Sequence, residues 1–158
     1  MNVLADLDVP WRALFVGAGP MQGELRAWMK RFAHRVRICT DVRHGDVPAY
    51  LNAMDLLAAP SQTTRGWREQ FGRMLIEAFA AGVPVIGSDS GEIPHVIQDT
   101  GVIVPERDER AWTDALRRLL TNPAERHTHA AAARARAHEE FAWPVIARRY
   151  LSFFDEIA

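Results

Sequence analysis

Short apolar runs alternate with amphipathic stretches along most of this chain. Residues 13–16 (ALFV) form the first run, and a turn at Gly17-Ala18-Gly19-Pro20 closes it. The spacing then predicts a helix over 21–32, with Leu25, Trp28, Met29 and Phe32 on one face. A strand is predicted over 36–39 and a helix over 47–54, with Pro48 in its first turn. A buried strand follows over 56–59, stopped by Pro60. After an irregular 61–68 segment comes a helix over 72–81, ended by Gly82. A strand over 84–87, a short helix opened by Pro94 and a strand over 102–104 complete the alternation. From 109 the pattern turns helical, over 109–120, 124–140 and 143–157, punctuated by Asn122-Pro123 and Trp143-Pro144. The small-residue run at 130–137 is a good helix former and reads as a packing helix, not as disorder.

Strands that alternate with helices imply a parallel sheet covered on both faces. The expected fold is therefore α/β, a Rossmann-like doubly wound domain spanning 1–158, with 124–158 as C-terminal packing helices. In such sheets ligands bind beyond the carboxyl ends of the strands. The loops to watch follow Val16, Cys39, Ala59, Gly87 and Val104, and three of them carry glycine or small polar residues: Gly17 and Gly19, Ser61, and Ser88, Ser90 and Gly91. Ordinary turn chemistry explains such residues equally well.

The sharpest chemical feature is EQFGRMLIE, residues 69–77. It sets Glu69 at the mouth of the helix predicted from Gly72 and Glu77 two turns inside an apolar stretch. Helix-start amides and the positive end of the helix dipole suit phosphate or sugar hydroxyls, and Gly72 leaves the approach open. Glu69 by itself is explained by complementing the helix start. Glu77 is not, and a buried carboxylate is costly without partners. The pair therefore asks for a polyhydroxylated or cationic ligand, with a salt bridge from a nearby Arg as the plainer explanation of Glu77.

Composition narrows the classes. At 158 residues, 48% hydrophobic and 25% charged, the chain fits one ordinary domain. A net charge of −1 offers no electrostatic reason to expect nucleic acid. The cations are Arg apart from Lys30 and read as solvated helix faces. Cys39 has no partner for an internal disulfide and reads as a buried, inert thiol. No apolar run approaches the roughly 18 residues of a membrane span, and no signal pattern opens the chain, so a cytoplasmic location, perhaps beside a membrane, is expected. The six His show no metal-ligand spacing, and no metal is expected.

Several ordered stretches resemble one family. EQFG at 69–72 and EAFAAGVPVIGSDSGEIP at 77–94 are similar to the donor-binding signature of the retaining, GT-B-fold glycosyltransferases, the large group 1 or family four class. FVGAGP at 15–20, YLNAMDLLAAPS at 50–61, GVIVP at 101–105 and FAW at 141–143 resemble the same family in the same order. The resemblance implies transfer of a hexose-type sugar, with retained configuration, from a nucleoside diphosphate sugar to a glycan, lipid or small-molecule acceptor. It implies that Glu69 hydrogen-bonds the donor sugar as the catalytic-site carboxylate, and that the backbone from Gln70 through Phe71, Gly72, Arg73 and Met74 holds sugar and diphosphate. It further implies that Glu77 grips the ribose diol and that the backbone around Val42 meets the nucleobase. No cofactor beyond the donor substrate is implied.

The family joins two Rossmann-like domains, and these residues resemble only the second. The acceptor domain, and the opening strand and basic pair of the donor domain, have no counterpart, so the chain is expected to need an N-terminal domain or a partner chain and to turn over little alone. His95 stands where the family often has Glu. Other classes stay open: a non-catalytic nucleotide-sugar-binding or partner-docking module; an NAD(P)-dependent oxidoreductase built on Gly17, Gly19 and Gly23 with Asp41 as the ribose acid; and an epimerase or phosphorylase on a related scaffold. The apolar band of 143–157 also points to self-association, or to packing on the domain's own core.

Overall fold

A computed structural model describes residues 1–157. Its elements run α1 (Asn2–Ala5), β1 (Ala13–Val16), α2 (Gln22–Met29), β2 (Val36–Cys39), α3 (Val47–Asn52), β3 (Leu57–Ala59), α4 (Arg73–Ala81), β4 (Val85–Ser88), α5 (Ile93–Ile97), β5 (Val102–Val104), α6 (Glu109–Thr121), α7 (Pro123–Arg136) and α8 (Trp143–Ile157). Short 3-10 turns at Lys30–Phe32 and His44–Asp46 and a π-turn at Ala137–Phe141 extend α2, precede α3 and follow α7. The strands over 13–16, 36–39 and 102–104 and the helix over 143–157 fall where the periodicity places them. The short helix α1 carries too few residues to register as a period.

All strand pairs are parallel, as the alternation requires. They form two ladders and not one continuous sheet: β1 with β2, and β3-β4-β5 in that order. Side chains join the two ladders. One core cluster brings Trp11, Ala13, Phe15 and Val36 from around the first ladder to Ile86, Val104 and the α6 residues Trp112, Leu116 and Leu119.

The central strand β4 shows why helices cover both faces. Successive side chains of a strand point to opposite faces. Val85 accordingly enters a core with Leu75, Ala78 and Phe79 of α4, Ile93, Val96 and Ile97 of α5 and Ala133 of α7, while Ile86 enters the core under α6. Both are essentially fully buried.

Side-chain caps set the starts of the first two of the three long helices after β5. Asp108 accepts the Ala111 N–H (2.9 Å) at the start of α6, and Asn122 accepts the Glu125 N–H (3.1 Å) at the start of α7. Asp108→Ala is expected to cost about 1 kcal/mol, read as a lower urea midpoint at unchanged slope. A loss below about 0.3 kcal/mol would mean that the α6 start is held by Trp112 packing instead.

Two expectations change here. Cys39 is half-buried at the open end of β2, not buried. Arg136 departs from the solvated role expected of the arginines: it is buried, and its Nε donates to the Val96 carbonyl (3.0 Å) while Nη1 donates to Gln98 Oε1 (2.7 Å) and Glu140 Oε1 (2.8 Å). Converging acceptors make a buried guanidinium tolerable, and composition does not reveal convergence. No helix among the described residues is long and apolar enough to cross a membrane.

Candidate functional site

The loops beyond the carboxyl ends of β3, β4 and β5 are stitched to one another. Ser88 Oγ donates to the Ser61 carbonyl (2.6 Å), and the hydroxyls of Thr63 and Ser90 lie 2.9 Å apart. The Glu106 carboxylate accepts the Thr63 N–H, while the Glu106 N–H donates to Asp89 Oδ1 (2.8 Å). Arg107 Nη2 donates to the Thr63 carbonyl (3.1 Å). These contacts give the irregular segment between β3 and α4 a fixed course despite its lack of helix or strand.

That segment ends in a sharp elbow. Gly72 is the residue before α4 and has φ 76°, a left-handed conformation that glycine adopts without steric cost. A β-carbon there would lie 2.8 Å from Leu75 Cδ1. Glu69 reaches over the elbow: its Oε1 accepts the N–H of Gly72 (3.0 Å) and of Phe71 (3.3 Å). Glu69 thus does what a carboxylate at a helix start does on electrostatic grounds alone. The amides of Arg73 and Met74 remain, like those in the first turn of any helix, without an intrahelical acceptor.

Glu77 lies on α4, its side chain 29% exposed, with Oε1 3.3 Å from Arg73 Nε one turn earlier. The expectation of a buried carboxylate is therefore corrected. Glu77 sits at the border of the apolar face, half in solvent, and takes the plain i,i+4 pairing with an Arg. Its other oxygen makes no hydrogen bond among the described residues.

The backbone of Glu69 is also held from the β4 side. Glu92 N–H donates to the Glu69 carbonyl (3.1 Å), and Gly91, with φ 57°, packs against the same peptide. A polar cleft of about 300 Å³ opens beside this contact, lined by Gly66, Trp67, Arg68, Glu69, Gln70 and Glu92. Trp67, Arg68 and Glu92 went unassigned in the sequence because no spacing rule connects a loop aromatic to a carboxylate more than twenty residues later. Phe71 is half-exposed, and its ring stands edge-on to Phe141 at 6.2 Å, so the π-turn after α7 braces the elbow. Val42 follows β2 in the other ladder, half-buried, and no side-chain hydrogen bond among the described residues links it to the 69–77 segment. His95, in the first turn of α5, is exposed.

The model of the family described as "Glycosyl transferases group 1" matches residues 2–122, which include the elbow, Glu77 and every strand. The chain belongs to that family.

Among relatives of this group 1 glycosyl transferase chain, a GDP-mannose-dependent monoacylated alpha-(1-6)-phosphatidylinositol monomannoside mannosyltransferase of Corynebacterium glutamicum is 32% identical over 139 residues. The match covers 86% of this chain and 36% of the relative, so the chain spans little more than a third of it. Sucrose-phosphate synthase from Thermosynechococcus elongatus superimposes with a TM-score of 0.81 at 27% identity, over 99% of this chain and 41% of that one. Anabaena HepE, solved in complex with UDP, superimposes with a TM-score of 0.84 at 22% identity, over 98% and 43%, a likeness of fold. The α/β architecture is thus that of the C-terminal Rossmann-like domain of a GT-B glycosyltransferase.

Proposed function

We propose that this chain is the donor-binding half of a retaining glycosyltransferase, which holds a nucleoside diphosphate sugar at the elbow between Glu69 and Glu77. What supports this is the elbow itself: a left-handed glycine before the start of α4 and a carboxylate folded over the amides there, with Glu69 and Gln70 lining the adjoining cleft. A relative whose name carries GDP-mannose and a neighbour solved with UDP point to the ligand class such an elbow suits.

In this reading the diphosphate lies against the amides of Arg73 and Met74, at the positive end of α4. As the bond from the anomeric carbon to the diphosphate oxygen breaks, its electron pair leaves with the diphosphate. The fixed N–H dipoles of Arg73 and Met74 meet that charge without reorganising. The acceptor oxygen bonds to the anomeric carbon on the same face and gives up its proton to the departing diphosphate oxygen. Glu69, together with the backbone of Gln70, Phe71 and Gly72, orients the sugar. Glu77, steadied by Arg73, takes the ribose diol, and the backbone at Val42 meets the base. No metal is assigned a role. The acceptor, a glycan, lipid or small molecule, is met by a second domain or partner chain, without which turnover is slight. The working location is the cytoplasm or the adjoining membrane surface.

Calorimetric titration of the purified chain with UDP, GDP, ADP and their sugar conjugates, with NAD and NADP as controls, tests the assignment. Saturable binding of one nucleoside diphosphate and its sugar conjugate is expected. Glu69→Ala is expected to bind the free nucleotide within about threefold of the parent while losing about tenfold against the sugar conjugate, the scale of one hydrogen bond to a charged group. Binding of dinucleotides alone would overturn the reading.

A further inference from the structure

Buried Arg136, the last residue of α7, holds two sides of the candidate site from behind. Its Nε and Nη2 donate to the carbonyls of Val96 (3.0 Å) and His95 (3.3 Å), in the last turn of α5, where helix carbonyls lack intrahelical partners. Nη1 donates to Gln98 Oε1 (2.7 Å). Gln98 is the one non-glycine residue with positive φ (48°) among the described residues, and such a backbone persists only where its surroundings fix it. One guanidinium thus pins the end of α5 and the residue that leaves it.

The same guanidinium holds the π-turn Ala137–Phe141. Nη1 also donates to Glu140 Oε1 (2.8 Å), and Cζ stands 5.6 Å from the centre of the Phe141 ring. Turns of this kind are rare and recur at functional sites. Phe141 meets Phe71 edge-on at 6.2 Å, and the amides of Phe71 and Gly72 are the two that Glu69 accepts. The near end of α5 reaches the same peptides. Just before it, Glu92 N–H donates to the Glu69 carbonyl (3.1 Å), and Ile93 Cγ1 lies 3.8 Å from where a β-carbon on Gly72 would stand. Two paths from one cation converge on residues 69–72, one along α5 and one through two aromatic rings.

Filling the space does not require a charge. A methionine is an adaptable core filler and avoids the desolvation cost of a guanidinium. What the guanidinium adds is direction, because its planar fork fixes the bearings of its donors and so holds α5, Gln98 and the π-turn in one relative placement. Building on the donor reading of the elbow, we infer that Arg136 is a positioning residue for the donor site. It sets the geometry of Glu69 and the Gly72 elbow through α5 and through Phe141.

Two measurements on the full chain test this. Nuclear magnetic resonance gives solvent-exchange rates for the Phe71 and Gly72 amides, and calorimetry gives affinities for UDP-glucose, GDP-mannose and ADP-glucose. Arg136→Met and Phe141→Leu are each expected to raise the two exchange rates by about threefold or more. Each is also expected to weaken binding of the sugar nucleotide that the parent takes by roughly three- to thirtyfold. Arg136→Lys keeps the charge and loses the fork; it is expected to match Arg136→Met in exchange rates, and it carries the test where circular dichroism shows Arg136→Met unfolded. Phe141→Tyr keeps the ring and is expected to stay within about twofold of the parent. Arg126→Met is the control, since Arg126 Nη1 caps α6 instead, at the carbonyls of Leu119 (2.6 Å) and Leu120 (3.1 Å). It is expected to lower the thermal midpoint with both elbow readouts within about twofold of the parent. Unchanged amide exchange in Arg136→Lys and Phe141→Leu would overturn the assignment, as would an equal rise in Arg126→Met. A parent that binds none of the three sugar nucleotides would overturn the donor reading, while the exchange rates still decide whether Arg136 sets the elbow.

Discussion

Gly91→Ala is expected to destabilise this protein by about 4 kcal/mol, and to lower its thermal midpoint by about 10 °C, the largest effect of a one-carbon change in the chain. Gly91 has φ 57°, and forcing a residue with a β-carbon into that region costs roughly 1–2 kcal/mol. The added carbon would also stand 1.9 Å from the carbonyl oxygen of Glu69 and 2.8 Å from its carbonyl carbon. These are backbone atoms, which cannot rotate away as a side-chain tip can. The 69–72 loop must retreat, and the hydrogen bond from Glu92 N–H to the Glu69 carbonyl goes with it. Overpacking of this kind adds roughly another 1–3 kcal/mol. The Glu69 carboxylate is carried off the Phe71 and Gly72 amides, so affinity for the nucleotide sugar is expected to fall by at least the roughly tenfold of Glu69→Ala, even at temperatures where the variant is folded. Differential scanning fluorimetry and the titration described above measure the two effects. A loss under about 1 kcal/mol would mean that the loop moves freely against the end of β4 and that the elbow is not a preset site.

Glu77→Ala is expected to weaken binding of the preferred nucleoside diphosphate by ten- to a hundredfold while leaving stability within about 0.5 kcal/mol. The first number is the loss of roughly 1.5–3 kcal/mol that attends removal of a charged hydrogen-bond acceptor from a ligand. The second follows from the pairing: Arg73 is 77% exposed, and exposed i,i+4 pairs contribute only about 0.3–0.5 kcal/mol. The two readouts separate a ligand-gripping role from a structural one, since a residue kept only for its pairing with Arg73 would leave affinity untouched. Unchanged affinity for every nucleotide with an intact fold would remove Glu77 from the site.

Both predictions concern contacts that differ in how far sequence reading reaches them. Glu69, Gly72 and Glu77 stand within nine residues, and their neighbourhood follows from one local event, the start of α4. A glycine before an apolar helix, with a carboxylate three positions ahead of it, specifies a capped helix start through hydrogen bonds that span at most three residues. Gly91 is different. It lies 22 residues beyond Glu69, on another strand exit, and only the packing of α5 against β4 brings the two backbones together.

The sequence by itself determined the strand and helix alternation, the parallel pairing that follows from it, the family and the helix start at Gly72. Each of these depends on residue period, on caps or on motifs read within a few positions of one another. The tertiary structure decided that the strands form ladders of two and three joined by side chains, and that Glu77 lies at the half-exposed border of α4 beside Arg73. It also decided that Arg136 is drawn inside by acceptors from α5 and that Thr63 is tied to Glu106 across 43 residues. Such contacts form only once helices and sheet are packed, because a side chain's exposure and partners depend on what distant segments lay against it, and periodicity along the chain carries no record of that.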